Sequence, residues 1–235
     1  MRSRAADNRD RDVFSAQSEA MQREPARDCP LCPRLVAYRQ ANQAANPEWW
    51  NGPVPSWGAL DAELLIVGLA PGVKGANRTG RPFTGDFAGT LLYETLLKFG
   101  FATGRYGADP ADGLSLRGCR IANAVRCVPP ANLPQPIEVR QCNRFMRAEL
   151  QTNGGLRAIL ALGVLAHSAV LAAHGIPAAR MRFAHGRMVE LPDGMLLADS
   201  YHVSRYNTNT GRLTTAMFEA VVAALRQRLD EPPPY

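Results

Sequence analysis

Four cysteines, an aspartate, an asparagine and a histidine are the residues of this sequence whose types and placing could do chemistry. Cys29 and Cys32 form C-P-L-C, and Cys127 and Cys142 extend the pattern to C-x2-C-x94-C-x14-C. A C-x2-C turn lets two thiolates grip one metal centre. A zinc ribbon would add a second close pair, whereas a pair spread by 14 residues suits an iron–sulfur cluster at least as well. Ordinary buried thiols are the competing reading of Cys127 and Cys142, and Cys119, at the start of an apolar run, reads as a core residue. Asp86 closes the stretch GLAPGVKGANRTGRPFTGD, where Phe83 is an aromatic among turn residues. Such a carboxylate serves chemistry or caps the helix expected from about Gly89, and Phe83 meets a ligand or anchors its loop. Asn123 lies within the apolar run CRIANAVRC. His202 is followed by Ser204, Arg205, Tyr206, Asn207, Thr208 and Asn209, then Gly211 and Arg212, a run of hydroxyl and amide groups of the kind that holds phosphates. His167, His174 and His185 read as solvated or core-edge residues.

These residues need a frame. The runs ELLIVGLAP, CRIANAVRC (119 to 127), LRAILALG (156 to 163) and MLLADSYH (195 to 202) are continuous and apolar, as strands buried on both faces would be. Helical patterns alternate with them: GTLLYETLLKFGF, IEVRQCNRFMRAELQ, VLAHSAVLAAHG and the C-terminal TTAMFEAVVAALRQRL. The alternation predicts an α/β three-layer sandwich with a central, mostly parallel sheet, whose ligand site lies at the carboxyl ends of the strands. The candidate residues follow the strands, as that rule demands. The glycine-rich stretch is not a Walker A loop, because position 73 is Val and Gly75 follows Lys74.

The 235 residues are 46% hydrophobic and 20% charged, which excludes a wholly disordered or collagen-like chain. No apolar run approaches the roughly 18 residues that span a bilayer, and MRSRAADNRDRD lacks a signal-type stretch, so an intracellular, cytoplasmic protein is expected. Residues 1 to 25 read as a disordered leader, with one domain over 26 to 235. The net charge of +6 falls after residue 28, where it is compatible with a polyanionic partner without demanding one.

Taken together, the segments resemble the uracil-DNA glycosylases, in particular the family 5 (type B) enzymes, from Cys29 to the last helix. The motifs that carry the resemblance are GLAPG (68 to 72) with NRTGRPFTGD, NAVRCVPP (123 to 130) and HVSRYNTNTGRLT (202 to 214). Leu69 stands where the related family 4 has Glu, and Val203 replaces a usual Pro. The resemblance implies a [4Fe-4S] cluster on Cys29, Cys32, Cys127 and Cys142, and a DNA partner, duplex or single-stranded, bound by a monomer. It implies a base pocket built from Gly68, Leu69, Ala70, Pro71 and Gly72, with Phe83 stacking on the flipped base and Asn123 offering an amide to its polar edge. His202 would donate to the departing base, and Asp86 would position water or offset the sugar's charge. Ser204, Arg205, Tyr206, Asn207 and Arg212 would meet DNA, with Tyr206 where several relatives carry an intercalating Leu. Tolerance of hypoxanthine or xanthine is a further implication. The rivals are a covalent uracil-DNA-trapping relative, which needs an inserted basic loop after the first motif, and a non-catalytic iron–sulfur or zinc DNA-binding module.

Overall fold

The computed structural model describes residues 23–232. Four five-residue strands, β2 (Leu64–Gly68), β5 (Cys119–Asn123), β6 (Ala158–Leu162) and β8 (Leu196–Ser200), run parallel at the centre of one sheet. Short antiparallel strands, β1 (Trp57–Gly58) and β7 (Met188–Glu190), close its edges, giving the order β1-β5-β2-β6-β8-β7. A separate hairpin pairs β3 (Ala102–Thr103) with β4 (Ser115–Leu116). The expected α/β sandwich is the observed fold.

Alternation along β2 sends Leu64 and Ile66 to one face and Leu65 and Val67 to the other, so the sheet carries a core on each side. The first face is covered by α3 (Phe87–Lys98) and α7 (Thr215–Asp230), through Leu92, Leu96, Phe218, Val222 and Leu225. The second is covered by α4 (Pro136–Thr152) and α5 (Val164–Ala173), through Met146, Ala166 and Val170. The remaining α-helices among the described residues are α1 (Pro33–Ala45), the short α2 (Ala76–Thr79) and α6 (Arg205–Asn209). The chain leaves β2 toward the α3 layer but leaves its neighbours β5 and β6 toward α4 and α5. This reversal is what opens a crevice beyond the carboxyl end of a parallel strand.

The sequence places three features differently. Cys127 does not end a strand: β5 stops at Asn123, and Val125 and Cys127 turn away to join a third apolar cluster with Leu35, Cys142 and Phe145. Residues 1 to 22 of the expected leader lie outside the described residues, but its last part is held by the fold. Glu24 pairs with Arg126 at 3.0 Å and Arg120 at 3.3 Å and accepts the Ser56 N–H, so the boundary at residue 25 falls too late. Of the two readings of His167, solvated or core-edge, the structure excludes the solvated one. The residue is 2% exposed, with Nδ1 2.7 Å from Asp199 and Nε2 2.8 Å from the Met181 carbonyl oxygen.

Both ring nitrogens of His167 face oxygens, an arrangement only the doubly protonated imidazole satisfies. Burial disfavours that cation, but the hydrogen bonds it donates to Asp199 and Met181 and the Asp199 charge outweigh it, and the imidazole pKa is raised. A raised folded-state pKa contributes stability that is complete below the unfolded value and is lost as pH rises through the folded one. Thermal unfolding should therefore show a midpoint that declines as pH climbs above about 6.5, with His167→Gln removing most of that slope. An unchanged slope in the variant would place its origin elsewhere.

Candidate functional site

The site begins where β2 and β5 end side by side, with Gly68 the register partner of Asn123. A Cβ on Gly68 would lie 2.5 Å from both Asn123 Oδ1 and Phe83 Cζ, so only glycine lets these two side chains close over the strand end. The Ala124 and Val125 N–H groups continue the pairing to the Gly68 and Leu69 carbonyls at 2.9 Å. Asn123 is buried, and its Oδ1 has no hydrogen-bond partner among the described residues. Phe83 is buried in the left-handed region at φ 51°, a conformation that costs a non-glycine residue about 1 to 3 kcal/mol unless its surroundings impose it.

His202 follows β8, and its ring centroid is 6.0 Å from that of Phe83. Burial drives its imidazole down to about 4, so it is neutral near pH 7 and one ring nitrogen carries a hydrogen to donate. Its backbone carbonyl accepts from Asn207 Nδ2 at 2.8 Å, so Asn207 fixes the histidine's backbone. On its other side His202 borders a cleft of about 450 Å³, together with Leu69, Leu165, Phe183, Tyr201 and Arg212. Phe183 and Tyr201 escape sequence reading because no motif marks them.

Asp86 does two things. One carboxylate oxygen accepts the Ala88 N–H at 3.2 Å and caps α3, which begins at Phe87 rather than near Gly89. The other overlies the loop after β2, where a Cβ on Gly75 or Gly72 would come within 2.2 or 2.9 Å of it. Burial raises its pKa, opposed in part by the amides of Ala88 and Gly89. The remaining pocket residues lie between: Leu69, Ala70 and Gly72 are half-buried and Pro71 is buried.

The polar run after His202 forms a turn of helix rather than an open phosphate grip. Ser204 caps α6, and the hydroxyls of Thr208 and Thr210 donate to the Ser204 and Tyr206 carbonyls. What remains outward is Tyr206, 71% exposed, with exposed Arg205 stacked over Phe87 and exposed Arg212 over Tyr201.

The four cysteines converge. Cys29, Cys32, Cys127 and Cys142 line one small pocket with Leu35, Val125 and Phe145. Arg39 Nη1 donates to Cys127 Sγ at 3.2 Å, and the Arg126 N–H to Cys142 Sγ at 3.3 Å. Burial pushes the Cys32 thiol up to about 11 and Cys142 to about 12. Among the described residues no group of three or more His, Cys, Asp or Glu is placed to hold a single metal ion. Cys119 lies apart, its thiol donating to the Phe101 carbonyl in the core, as expected.

A sequence profile of the Uracil DNA glycosylase superfamily matches residues 55–226. The chain belongs to the uracil-DNA glycosylase superfamily. It is 46% identical over 199 residues to the type-5 uracil-DNA glycosylase of Thermus thermophilus, an alignment covering 83% of this chain and 90% of that protein. It is 43% identical over 201 residues to the type-5 enzyme of Mycobacterium leprae, covering 82% and 88%. The type-5 enzyme of Pyrobaculum aerophilum is 41% identical over 199 residues, covering 83% and 86%. All three superfamily motifs read from the sequence fall inside the profile, whereas Cys29 and Cys32 precede it.

In this superfamily member the site should hold a neutral histidine and a carboxyl whose pKa is raised by burial. Histidine-detected NMR titration should give His202 a midpoint near 4, and carboxyl-detected titration should place Asp86 above the ordinary aspartate range. A His202 midpoint near 6.5 would mean that the imidazole is solvated.

Proposed function

We propose that the chain is a monofunctional DNA-repair glycosylase that flips uracil out of DNA and hydrolyses the N-glycosidic bond, leaving an abasic site. The observation that carries this reading is Asn123: a buried amide oxygen with no partner, beside an aromatic ring, at the carboxyl end of a parallel strand. A buried acceptor left unsatisfied is costly, and a ligand that donates to it removes the cost. Uracil offers an N–H beside a carbonyl, which matches the acceptor and donor of one amide. Phe83 stacks on the extruded ring, and neutral His202 donates to the oxygen where charge collects as the base leaves. The C1′–N1 bond breaks with its electron pair on the base, water oxygen bonds to C1′ and gives up a proton that neutralises the base anion, and Asp86 positions that water or offsets the sugar's positive charge.

The same N–H beside a carbonyl recurs in hypoxanthine and xanthine, so the pocket accepts these bases as well. The enzyme acts on duplex or single-stranded DNA as a cytoplasmic, nucleoid-associated monomer, with Tyr206, Arg205 and Arg212 toward the nucleic acid. Among the described residues no helix is long and apolar enough to cross a membrane. A covalent trapping mechanism is disfavoured because α3 starts directly after Asp86, leaving no inserted loop to carry a nucleophile.

Cys29, Cys32, Cys127 and Cys142 are proposed to hold a [4Fe-4S] cluster. The donor set suits it: four thiols share one pocket, and two of them receive N–H hydrogen bonds. The cluster supplies a structural clamp between the N-terminal segment, the loop after β5 and α4.

Two experiments test these assignments. In single-turnover excision from a uracil-containing duplex, read by alkaline strand cleavage, Asp86→Asn and His202→Ala should each slow the rate by about 10² or more while DNA binding survives. Asn still caps a helix, so Asp86→Asn isolates the charge; wild-type excision by it would place the water elsewhere. Anaerobically purified protein should be brown with about four irons per chain, and Cys32→Ser should lower stability before it alters chemistry. Stoichiometric zinc without iron would sink the cluster assignment.

A further inference from the structure

The left-handed backbone of Phe83 has to be held by something, and its neighbours show what. Its carbonyl accepts the Tyr106 hydroxyl at 3.2 Å, and the Pro82 carbonyl before it accepts the Tyr93 hydroxyl. Thr84 after it receives Arg81 Nε on its hydroxyl at 2.7 Å and donates back to Pro82. Arg81 is buried and forks onto Asp112 at 2.9 and 2.7 Å, with its guanidinium 4.8 Å over the Trp57 ring. Asp112 in turn accepts the N–H groups of Gly107 and Leu114, closing the loop between β3 and β4 on itself. That loop carries Tyr106. A Cβ on Gly89 would lie 1.9 Å from the Phe83 carbonyl oxygen and 2.2 Å from the Tyr106 hydroxyl, so glycine there lets helix, loop and tyrosine meet.

We propose that Tyr106 is a positioning residue for the base-stacking ring of Phe83, with the Arg81–Asp112 pair fixing the β3–β4 loop against the segment it serves. This rests on the stacking role given to Phe83 above. The Tyr106 ring has packing of its own, 4.8 Å from that of Tyr93, so its hydroxyl can be removed without emptying the core. What the hydroxyl adds is a bond to the carbonyl of Phe83 itself, whose φ is 51°. A relaxed φ would swing the Phe83 ring away from Gly68 and from His202. The hairpin therefore contributes to recognition without touching the base. Strain at a functional residue persists when flanking contacts over-determine it, and here those contacts come from α3, from the hairpin and from within the loop.

A double-mutant cycle separates positioning from general support. Wild type, Tyr106→Phe, Phe83→Ala and the double variant are compared for single-turnover rate and half-saturating concentration on a uracil-containing duplex, with thermal unfolding in parallel. Tyr106→Phe should raise the half-saturating concentration about ten-fold, the scale of one hydrogen bond. In the Phe83→Ala background it should change nothing further. Asp112→Asn, which weakens the hold on Arg81 by a different route, should show the same dependence on Phe83. Equal losses in both backgrounds, or no loss when Phe83 is present, would overturn the proposal. Wild-type behaviour of Phe83→Ala would instead overturn the stacking role itself. A damaging Phe83→Ala with a silent Tyr106→Phe leaves that role standing and removes only the positioning.

Discussion

Everything at the site depends on how closely groups approach backbone that has no side chain. Gly68 ends β2 beside Asn123, and the volume a Cβ would take is filled by the Asn123 amide and the Phe83 ring. Gly72 and Gly75 make way in the same manner for the Asp86 carboxylate, and Gly89 for the meeting of Phe83 and Tyr106. None of these four glycines has a positive φ. At Gly68 and Gly72 the requirement is space, so an alanine would press on a functional side chain; at Gly89 its Cβ would meet the Phe83 backbone carbonyl, and Gly75, at φ −93° and ψ −117°, lies outside the regions that L-residues favour. The parallel sheet makes this crowding possible, because β2 and β5 stop in register and send their chains to opposite layers.

How much of this was legible depends on whether the signal was local. Strands buried on both faces are continuous apolar runs, so the four central strands and their intervening helices could be read directly. The edge strands β1 and β7, two and three residues long and largely half-exposed, left no pattern to read. CRIANAVRC looked like a strand to its end because its last residues are also apolar, but Val125 and Cys127 bury themselves against α1 and α4 instead. His167 reads as solvated or core-edge from sequence because its partner Asp199 is 32 positions away on a strand. Asp86 was readable both as a cap and as a reactive carboxylate, and its two oxygens divide between cap and loop. Tyr106 and Asp112 lie in a polar, glycine-rich stretch with no motif, and only their contacts across the fold give them a role.

Charge is distributed to the same end. The sheet interior is apolar at β2 and β6, and the buried arginines sit where segments distant in sequence must meet. Arg81 joins the first motif to the hairpin through Asp112, and Arg120 joins β5 to α4 through Glu149. Removing one partner of a buried pair is expensive, because the other charge is stranded, whereas an apolar replacement of both can be neutral. Such pairs therefore say more about where segments must lie than about how stable the protein is.

Arg126 shows the logic at its most constrained. It is almost wholly buried, its guanidinium is held by Glu24 and Ser56, and its backbone N–H points at Cys142 Sγ. Ser56 also contacts Glu149, which holds Arg120, so one network ties the N-terminal segment, β1, β5 and α4 together. One Arg126 nitrogen still lacks a partner among the described residues. A group buried one bond short is poorly optimised for stability. Its place is explained by what flanks it: Arg126 stands between Val125 and Cys127 in the loop that carries Asn123 toward one site and Cys127 toward the cysteine pocket. Holding that guanidinium fixes the loop, so Glu24, in the segment leading to Cys29, ties the N-terminal segment to the same loop that the cysteines share.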